Sequence, residues 1–128
     1  MDHTEVLTYE YLDQDAREMI VDLMDGDAEM IIDLVDTLAE TTPELLSELK
    51  AGVNSQDAVQ IREAAHALKS SNAQLGALNL SELCRRMEEM GKREELEETA
   101  TLLTMIFQEF QKVEQALNSW KVEVEKNP

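Results

Sequence analysis

One histidine of this sequence has neighbours that could take part in chemistry. Residues three, four and seven positions apart share one flank of a helix, and around His66 these positions hold Arg62, Lys69, Ser70 and Ala73. Two cations and two small side chains would then surround an imidazole, although the chain has a formal net charge of −17. Phosphoryl transfer needs little beyond an accessible nucleophile, in-line room and positive charge near the phosphoryl oxygens. The spacing therefore suggests His66 as a nucleophile, with Lys69 as the charge that screens a phosphoryl group.

Two other interpretations of His66 remain open at this stage. The first is a structural or adaptor bundle, in which a partly exposed helical histidine has incidental neighbours and no phosphoryl group is transferred. The second is a metal site, because Glu63 and His66 have the Glu-x-x-His spacing of carboxylate-bridged di-iron bundles. Those sites need a second copy of the motif, and the only other histidine is His3 near the N-terminus. We therefore expect no metal site and no cofactor in this chain.

The helix that carries His66 is predicted over about residues 56–74. On a wheel at about 100° per residue, one side collects the positions predicted to be buried, which are Ala58, Ile61, Ala65, Leu68, Asn72 and Leu75. His66 lies about a third of a turn from the middle of that stripe, where an imidazole can pack one edge and present the other. Ser55 is predicted to cap the start of this helix, with Asp57 in its first turn, and Gly76 is predicted to end it.

Two helical segments precede this helix. The first is predicted over about residues 10–24 and ends at the turn sequence 25–27; its apolar stripe comprises Leu12, Ala16, Met19, Ile20 and Leu23. The second begins near Asp27, and Pro43 is predicted to kink or restart it. It is predicted to end at the break formed by residues 52–54.

Two more segments follow Gly76. One is predicted over about residues 79–90 and is closed by Gly91 and the two basic residues after it. The other is predicted over about 94–124, and at about 1.5 Å per residue it is longer than its neighbours, so its end is predicted to project past the bundle or to fray. Short connections between amphipathic helices favour antiparallel neighbours. The expected fold is therefore all-α, an antiparallel up-down four-helix bundle with an additional short N-terminal helix.

Composition excludes several classes of protein. A chain of 128 residues with 43% hydrophobic content suffices for one compact core, and 4 Gly, 2 Pro and 4% aromatic residues favour helix over strand. The net charge of −17 repels nucleic acid and anionic membranes. The chain shows neither a signal pattern nor an apolar run of about 20 residues, and its single cysteine, Cys84, can form no internal disulfide. We expect a cytoplasmic, monomeric protein without an ATP-binding domain, and hence without autokinase activity.

The segment around His66 resembles a known family signature. Residues 66–77 read His-Ala-Leu-Lys-Ser-Ser-Asn-Ala-Gln-Leu-Gly-Ala. This is similar to the His-x-Leu-Lys-Gly-Ser motif, followed by Leu-Gly-Ala, of histidine-containing phosphotransfer (HPt) domains. The similarity extends upstream through residues 25–50 and downstream through 83–88. The chain is therefore expected to be a single HPt domain over 1–128, with a tail at 1–9, a family-like bundle at 10–115 and a C-terminal extension at 116–128.

The resemblance implies a role for each matching residue. His66 matches the phosphoryl acceptor, Lys69 the lysine near the phosphoryl group, and Glu88 a Glu or Gln that hydrogen-bonds the imidazole. Ser70 stands where the family usually has glycine, and Arg62 matches no fixed family position.

The resemblance also implies partners. These would be response-regulator receiver domains, with a hybrid histidine kinase as a further candidate, and the partner would supply the aspartate and Mg²⁺. The carrier would accept a phosphoryl group from one phospho-aspartate and pass it to the aspartate of a response regulator. Arg62, Ser70 and Ala73 are predicted to line the docking face.

Overall fold

The computed structural model describes residues 10–126, and these residues form helices and short connections with no β-strand. The predicted tail at 1–9 and the last two residues lie outside the described part. The helices that lie wholly within this described range are α1 (Gln14–Leu23), α2 (Ala28–Glu40), α3 (Thr42–Ser55), α4 (Ala58–Gln74), α5 (Leu78–Arg93) and α6 (Thr99–Lys126). The predicted all-α class is confirmed.

The long helices form an antiparallel bundle of four columns. Helices α2 and α3 together make one column. The helix is interrupted at Thr41, and α3 begins with Pro43 in its first turn, as predicted. Helix α4 runs antiparallel to α3, and Gln60 donates a hydrogen bond to the carbonyl of Glu48 at 2.9 Å. Helix α5 packs along the length of α4, and α6 returns beside α2, where Lys121 pairs with Asp36 at 2.8 Å. This is the predicted up-down arrangement.

Helix α1 lies across the end of the bundle at the connection between α4 and α5. The backbone N–H of Asp13 donates to the carbonyl of Gly76 at 2.8 Å, and the Asp13 carboxylate caps α1 by accepting from the N–H of Ala16. Gly76 has a φ of +82°, and a Cβ added there would lie 2.9 Å from the Cβ of Ala16. Glycine is therefore required at this contact, both for the left-handed backbone and for the space.

The predicted apolar stripe of α1 is only half correct. Leu12 and Ile20 are buried, whereas Met19 and Leu23 are 64% and 67% exposed. The reason is that α1 lies at the end of the bundle, so only one edge of its apolar face reaches the core.

The residue predicted to cap the start of α4 is wrong. Asp57, and not Ser55, caps this helix, because its carboxylate accepts from the N–H of Gln60 at 3.1 Å. Ser55 ends α3 and donates to the carbonyl of Ala51. The predicted break at residues 52–54 lies inside α3, since Gly52 serves close packing: a Cβ there would meet the Ile61 backbone nitrogen at 3.2 Å.

The predicted limits of α6 need two corrections. This helix begins at Thr99, because Glu94 has a φ of +56° and ends α5, and the Thr99 hydroxyl donates to the Leu96 carbonyl. Its end does not project, since Trp120 is buried and Val124 packs against the core. Helices α2 and α3 in succession are about as long as α6 and lie beside it. The prediction compared α6 with single helices and therefore made it appear too long for the bundle.

Candidate functional site

Helices α4 and α5 bring three of the predicted site residues together. Nδ1 of His66 lies 2.7 Å from Oε2 of Glu88, and Nζ of Lys69 donates to Oε1 of the same carboxylate at 2.6 Å. His66 and Lys69 come from adjacent turns of α4, whereas Glu88 comes from α5, 22 residues beyond His66. The side chain of His66 is 64% exposed, but Glu88 is 4% exposed. The carboxylate therefore lies beneath an accessible imidazole.

Close packing of α4 on α5 sets this geometry. A Cβ added to Gly91 would lie 3.0 Å from the carbonyl oxygen of Ala58 and 3.0 Å from the nitrogen of Arg62. Glycine at this position lets the backbones approach one turn away from Glu88. At the other end, the Ser81 hydroxyl donates to the carbonyl of Lys69 at 2.8 Å. Sequence analysis treated Gly91 only as a helix stop and did not identify Ser81.

The predicted buried stripe explains how α4 presents His66. Five of its six members, Ile61, Ala65, Leu68, Asn72 and Leu75, are buried, and only Ala58 is half-buried. The one polar member, Asn72, satisfies its amide by donating to the carbonyl of Leu68 at 2.8 Å. With this side of the helix fixed in the core, His66 lies at the border with solvent, as the wheel predicted.

The electrostatics of Glu88 select one tautomer of His66. Burial alone would raise the pKa of Glu88, but the hydrogen bonds from Lys69 and His66, together with the positive charge of Lys69, lower that pKa overall. An ionised carboxylate can only accept hydrogen bonds, so Nδ1 of His66 must carry the proton. In the neutral imidazole the lone pair then lies on Nε2, at the opposite edge of the ring.

The remaining predicted site residues lie on the exposed flank of α4. Arg62, Ser70 and Ala73 are all exposed. None of them contacts the Glu88 carboxylate, so they surround the central cluster and do not belong to it.

A second lysine at the site was not predicted. Nζ of Lys92 lies 3.8 Å from Oε2 of Glu88, four residues earlier on α5, and the Lys92 side chain is 53% exposed. The Glu-x-x-x-Lys spacing was visible in the sequence and is a common ion-pair spacing in helices. It was overlooked because Lys92 was assigned to the helix end.

An apolar groove begins next to this flank. It has a volume of 630 Å³ and lies between α1, α2 and the end of α4; its lining includes Met19, Ile20, Leu23, Leu34, Leu38 and Ala73. Ala73 belongs both to the groove wall and to the flank of His66, two helical turns beyond the imidazole. The exposed side chains of α1 thus face an opening that adjoins the site.

Other candidate sites receive no support from the described residues. Residues 10–126 contain no group of three or more His, Cys, Asp or Glu side chains placed to hold a metal ion. Within the same range, no helix is long and apolar enough to cross a membrane. Cys84 is buried in the core, and burial raises the pKa of its thiol to about 12, so a reactive thiolate is not available there.

Comparisons with known proteins agree with this architecture. The family model described as the Hpt domain matches residues 33–120. This chain belongs to that family, the histidine phosphotransfer carriers of phosphorelay signalling. The crystal structure of histidine-containing phosphotransfer protein B (HptB) from Pseudomonas aeruginosa PAO1 superposes with a TM-score of 0.78 at 24% identity, covering 94% of this chain and 99% of the other. At that identity the likeness shows a shared fold. A search of curated protein sequences gives no significant match.

Proposed function

We propose that His66 is the phosphoryl acceptor of this carrier and that Nε2 is the atom that forms the bond. The observation that carries the proposal is the 2.7 Å contact between Nδ1 and the buried Glu88 carboxylate, beneath a ring whose side chain is 64% exposed. The contact keeps the proton on Nδ1 and leaves a lone pair on Nε2 at the accessible edge.

The proposed transfer moves one phosphoryl group and no proton. The Nε2 lone pair attacks the phosphorus of a phospho-aspartate on a receiver domain. The N–P bond forms, the P–O bond breaks, and the aspartate leaves as a carboxylate. The proton of Nδ1 stays in its hydrogen bond to Glu88 throughout. The reverse step, onto the aspartate of a response regulator, regenerates neutral His66.

Lys69 supplies the charge for this step in the proposed mechanism. Its Nζ lies 2.6 Å from Glu88, and its side chain is 31% exposed, so it lies between the carboxylate and the surface where a phosphoryl group would arrive. A positive charge there stabilises phosphoryl oxygens without any movement of the backbone. The receiver would supply the Mg²⁺, because that ion assists the aspartate side of the reaction, and this chain would hold no cofactor of its own.

The proposed docking surface is the exposed flank of α4 together with the adjoining groove. Small side chains at Ser70 and Ala73 allow a receiver to approach the imidazole. The groove offers apolar contact, and Asp13 and Asp15 at its edge favour a partner that carries basic residues beside its apolar ones. A receiver seated on both would have its aspartate near Nε2.

The test is phosphoryl transfer to His66→Gln. Wild-type protein incubated with phosphorylated receiver domains should gain label in an acid-labile, alkali-stable linkage, because the product is a phosphoramidate. His66→Gln should fold with unchanged helicity and gain no label, since the exposed imidazole contributes little to the core. Label retained at the wild-type level would refute the assignment. The same experiment distinguishes an adaptor bundle, which would bind receivers without taking up label in either form.

A further inference from the structure

Lys92 approaches the Glu88 carboxylate at the oxygen that Lys69 does not contact. Its Nζ is 3.8 Å from Oε2 of Glu88, the oxygen that also accepts from His66, whereas Lys69 contacts Oε1. One buried carboxylate thus has a lysine near each of its oxygens. The contact to Lys92 is the longer of the two, and about half of the Lys92 side chain remains in solvent.

Phosphoryl transfer changes the charge balance of this cluster. Before transfer, Lys69 alone can balance the Glu88 carboxylate. Because Nδ1 keeps its proton, the phosphorylated ring gains one positive charge, but the phosphoryl group brings more negative charge than that, and Lys69 then faces two anionic groups that compete for it. The cationic ring still donates to Oε2 of Glu88, but a carboxylate at 4% exposure that loses the lysine on Oε1 is destabilised, because little water is there to replace that lysine.

We propose that Lys92 is a positioning residue. It becomes the counter-ion of the Glu88 carboxylate when Lys69 turns to the phosphoryl group. The inference rests on the proposed function of His66. Lys92 acts through the carboxylate and does not contact the phosphoryl oxygens. It keeps Glu88 ionised, which keeps the hydrogen bond to Nδ1 and the orientation of the ring. The exchange of partners needs only rotation of two lysine side chains, because Lys92 already lies within 3.8 Å.

Neighbouring cations provide contrast and a control. Arg62 is exposed and has no contact with the Glu88 carboxylate. Arg93 follows Lys92 in the sequence, but it pairs with Glu89 at 2.9 Å, and its side chain is 63% exposed. Arg93→Gln therefore removes one positive charge from the same turn of α5 without changing the surroundings of Glu88.

The experiment measures how far the phosphoryl group moves from a phosphorylated receiver to His66 at equilibrium. Lys92→Gln should lower the phosphorylated fraction of His66, with a fall of about twofold to fivefold in the equilibrium constant, as expected for a partly exposed charge pair. Lys92→Arg should retain most of the wild-type value, and Arg93→Gln should match wild type. Circular dichroism and melting of all variants check the fold.

A second set of variants separates action through Glu88 from direct contact with phosphate. In a Glu88→Gln background the amide needs no counter-ion, so adding Lys92→Gln should change the equilibrium no further. An equal effect in both backgrounds would show that Lys92 acts on the phosphoryl group itself and would overturn the inference. The Nδ1 proton resonance of phosphorylated His66 should exchange faster with solvent in Lys92→Gln than in Arg93→Gln.

The inference and the proposed function fail in different ways. Wild-type protein that gains no label on His66 would refute the proposed function. Labelled wild type with an unchanged equilibrium in Lys92→Gln would refute only the role of Lys92.

Discussion

Glu88 remains ionised at 4% exposure because its neighbours replace the water it has lost. His66 and Lys69 each donate one hydrogen bond, at 2.7 Å and 2.6 Å, and each bond goes to a different oxygen. Such charge-assisted bonds are stronger than neutral ones. A single buried side chain therefore orients the imidazole and holds the nearest lysine in place.

The lowered pKa of Glu88 makes its contribution to stability depend on pH. A carboxyl group whose pKa is lower in the folded than in the unfolded protein stabilises the fold above its ordinary pKa of 4.5. That stabilisation is lost as the pH falls through the lowered value. We expect Glu88→Gln to reduce the free energy of unfolding by about 1–3 kcal/mol at neutral pH, and we expect the difference to shrink below about pH 4.5.

Denaturant unfolding of wild type and Glu88→Gln between pH 3 and pH 7 checks this expectation. Glu89→Gln is the matched control, because Glu89 neighbours Glu88 in sequence but pairs with Arg93 at the surface. A difference for Glu88→Gln that stays constant across this range would contradict a lowered pKa in the folded protein.

At the scale of helices, α4 was the element that sequence reasoning described best. The 3.6-residue period places its buried stripe and leaves His66 at the border, so the core face and the accessible face both follow from one pattern. The approach of α5 could not be derived in this way. Glu88 was identified through the family resemblance, since no periodicity within α4 indicates which residue of another helix lies beneath the imidazole.

Three errors of sequence reasoning share a physical cause. Gly52 and Gly91 were interpreted as helix breakers, but both lie inside helices where a neighbouring backbone comes within 3.2 Å or less of an added Cβ. Periodicity identifies the apolar face of a helix but not which part of that face a neighbouring helix covers. For this reason Met19 and Leu23 were wrongly predicted to be buried. Each error concerns what lies opposite a helix, which is tertiary information.

Ser70 tests whether a partner docks on the exposed flank of α4. Because Ser70 is exposed one turn beyond His66, Ser70→Gln should leave helicity and melting nearly unchanged, since glutamine is a good helix former. A long side chain there should hold a receiver away from Nε2 and slow transfer by about tenfold or more, because reactive geometry tolerates little displacement.

The matched variant is Ser70→Gly. It keeps the position small and should transfer at least as fast as wild type, at a cost of up to about 1 kcal/mol in helix stability. Transfer rates and melting temperatures of both variants decide the matter. If Ser70→Gln transfers as fast as wild type, the partner does not approach over this turn.

The distribution of charge over the whole molecule favours the same face. The chain has 11 Lys and Arg residues against 28 Asp and Glu, yet α4 and α5 together contain six basic and four acidic residues. These two helices therefore have more basic than acidic residues, although the protein as a whole is strongly acidic. Most of the surface repels an approaching receiver that carries an anionic phosphoryl group, and the pair of helices α4 and α5 repels it least. This difference in repulsion favours orientations in which the receiver faces α4 and α5.

The close contact at Gly91 has a consequence for how the chain folds. Helices α4 and α5 are consecutive and are joined by three residues, so the contacts that build the site span 19 to 22 residues, whereas the pair of Lys121 and Asp36 between α6 and α2 spans 85. Contacts of low sequence separation form early because little loop entropy opposes them. Gly91→Ala should destabilise the protein by about 1–3 kcal/mol through overpacking, although alanine is the better helix former. Most of the stability lost in this variant should appear as a lower folding rate, with a φ-value above about 0.5.

Val113→Ala in α6 should behave in the opposite way. Val113 is buried in α6, a helix that contacts α5 across a short connection but meets α2 and α3 only across long stretches of sequence, so truncation at Val113 should mainly speed unfolding and give a low φ-value. Folding and unfolding rates measured against denaturant concentration give both numbers, and similar φ-values for the two variants would contradict this order of events. If the order holds, the pair of His66 and Glu88 forms with the helical hairpin, before the C-terminal helix docks.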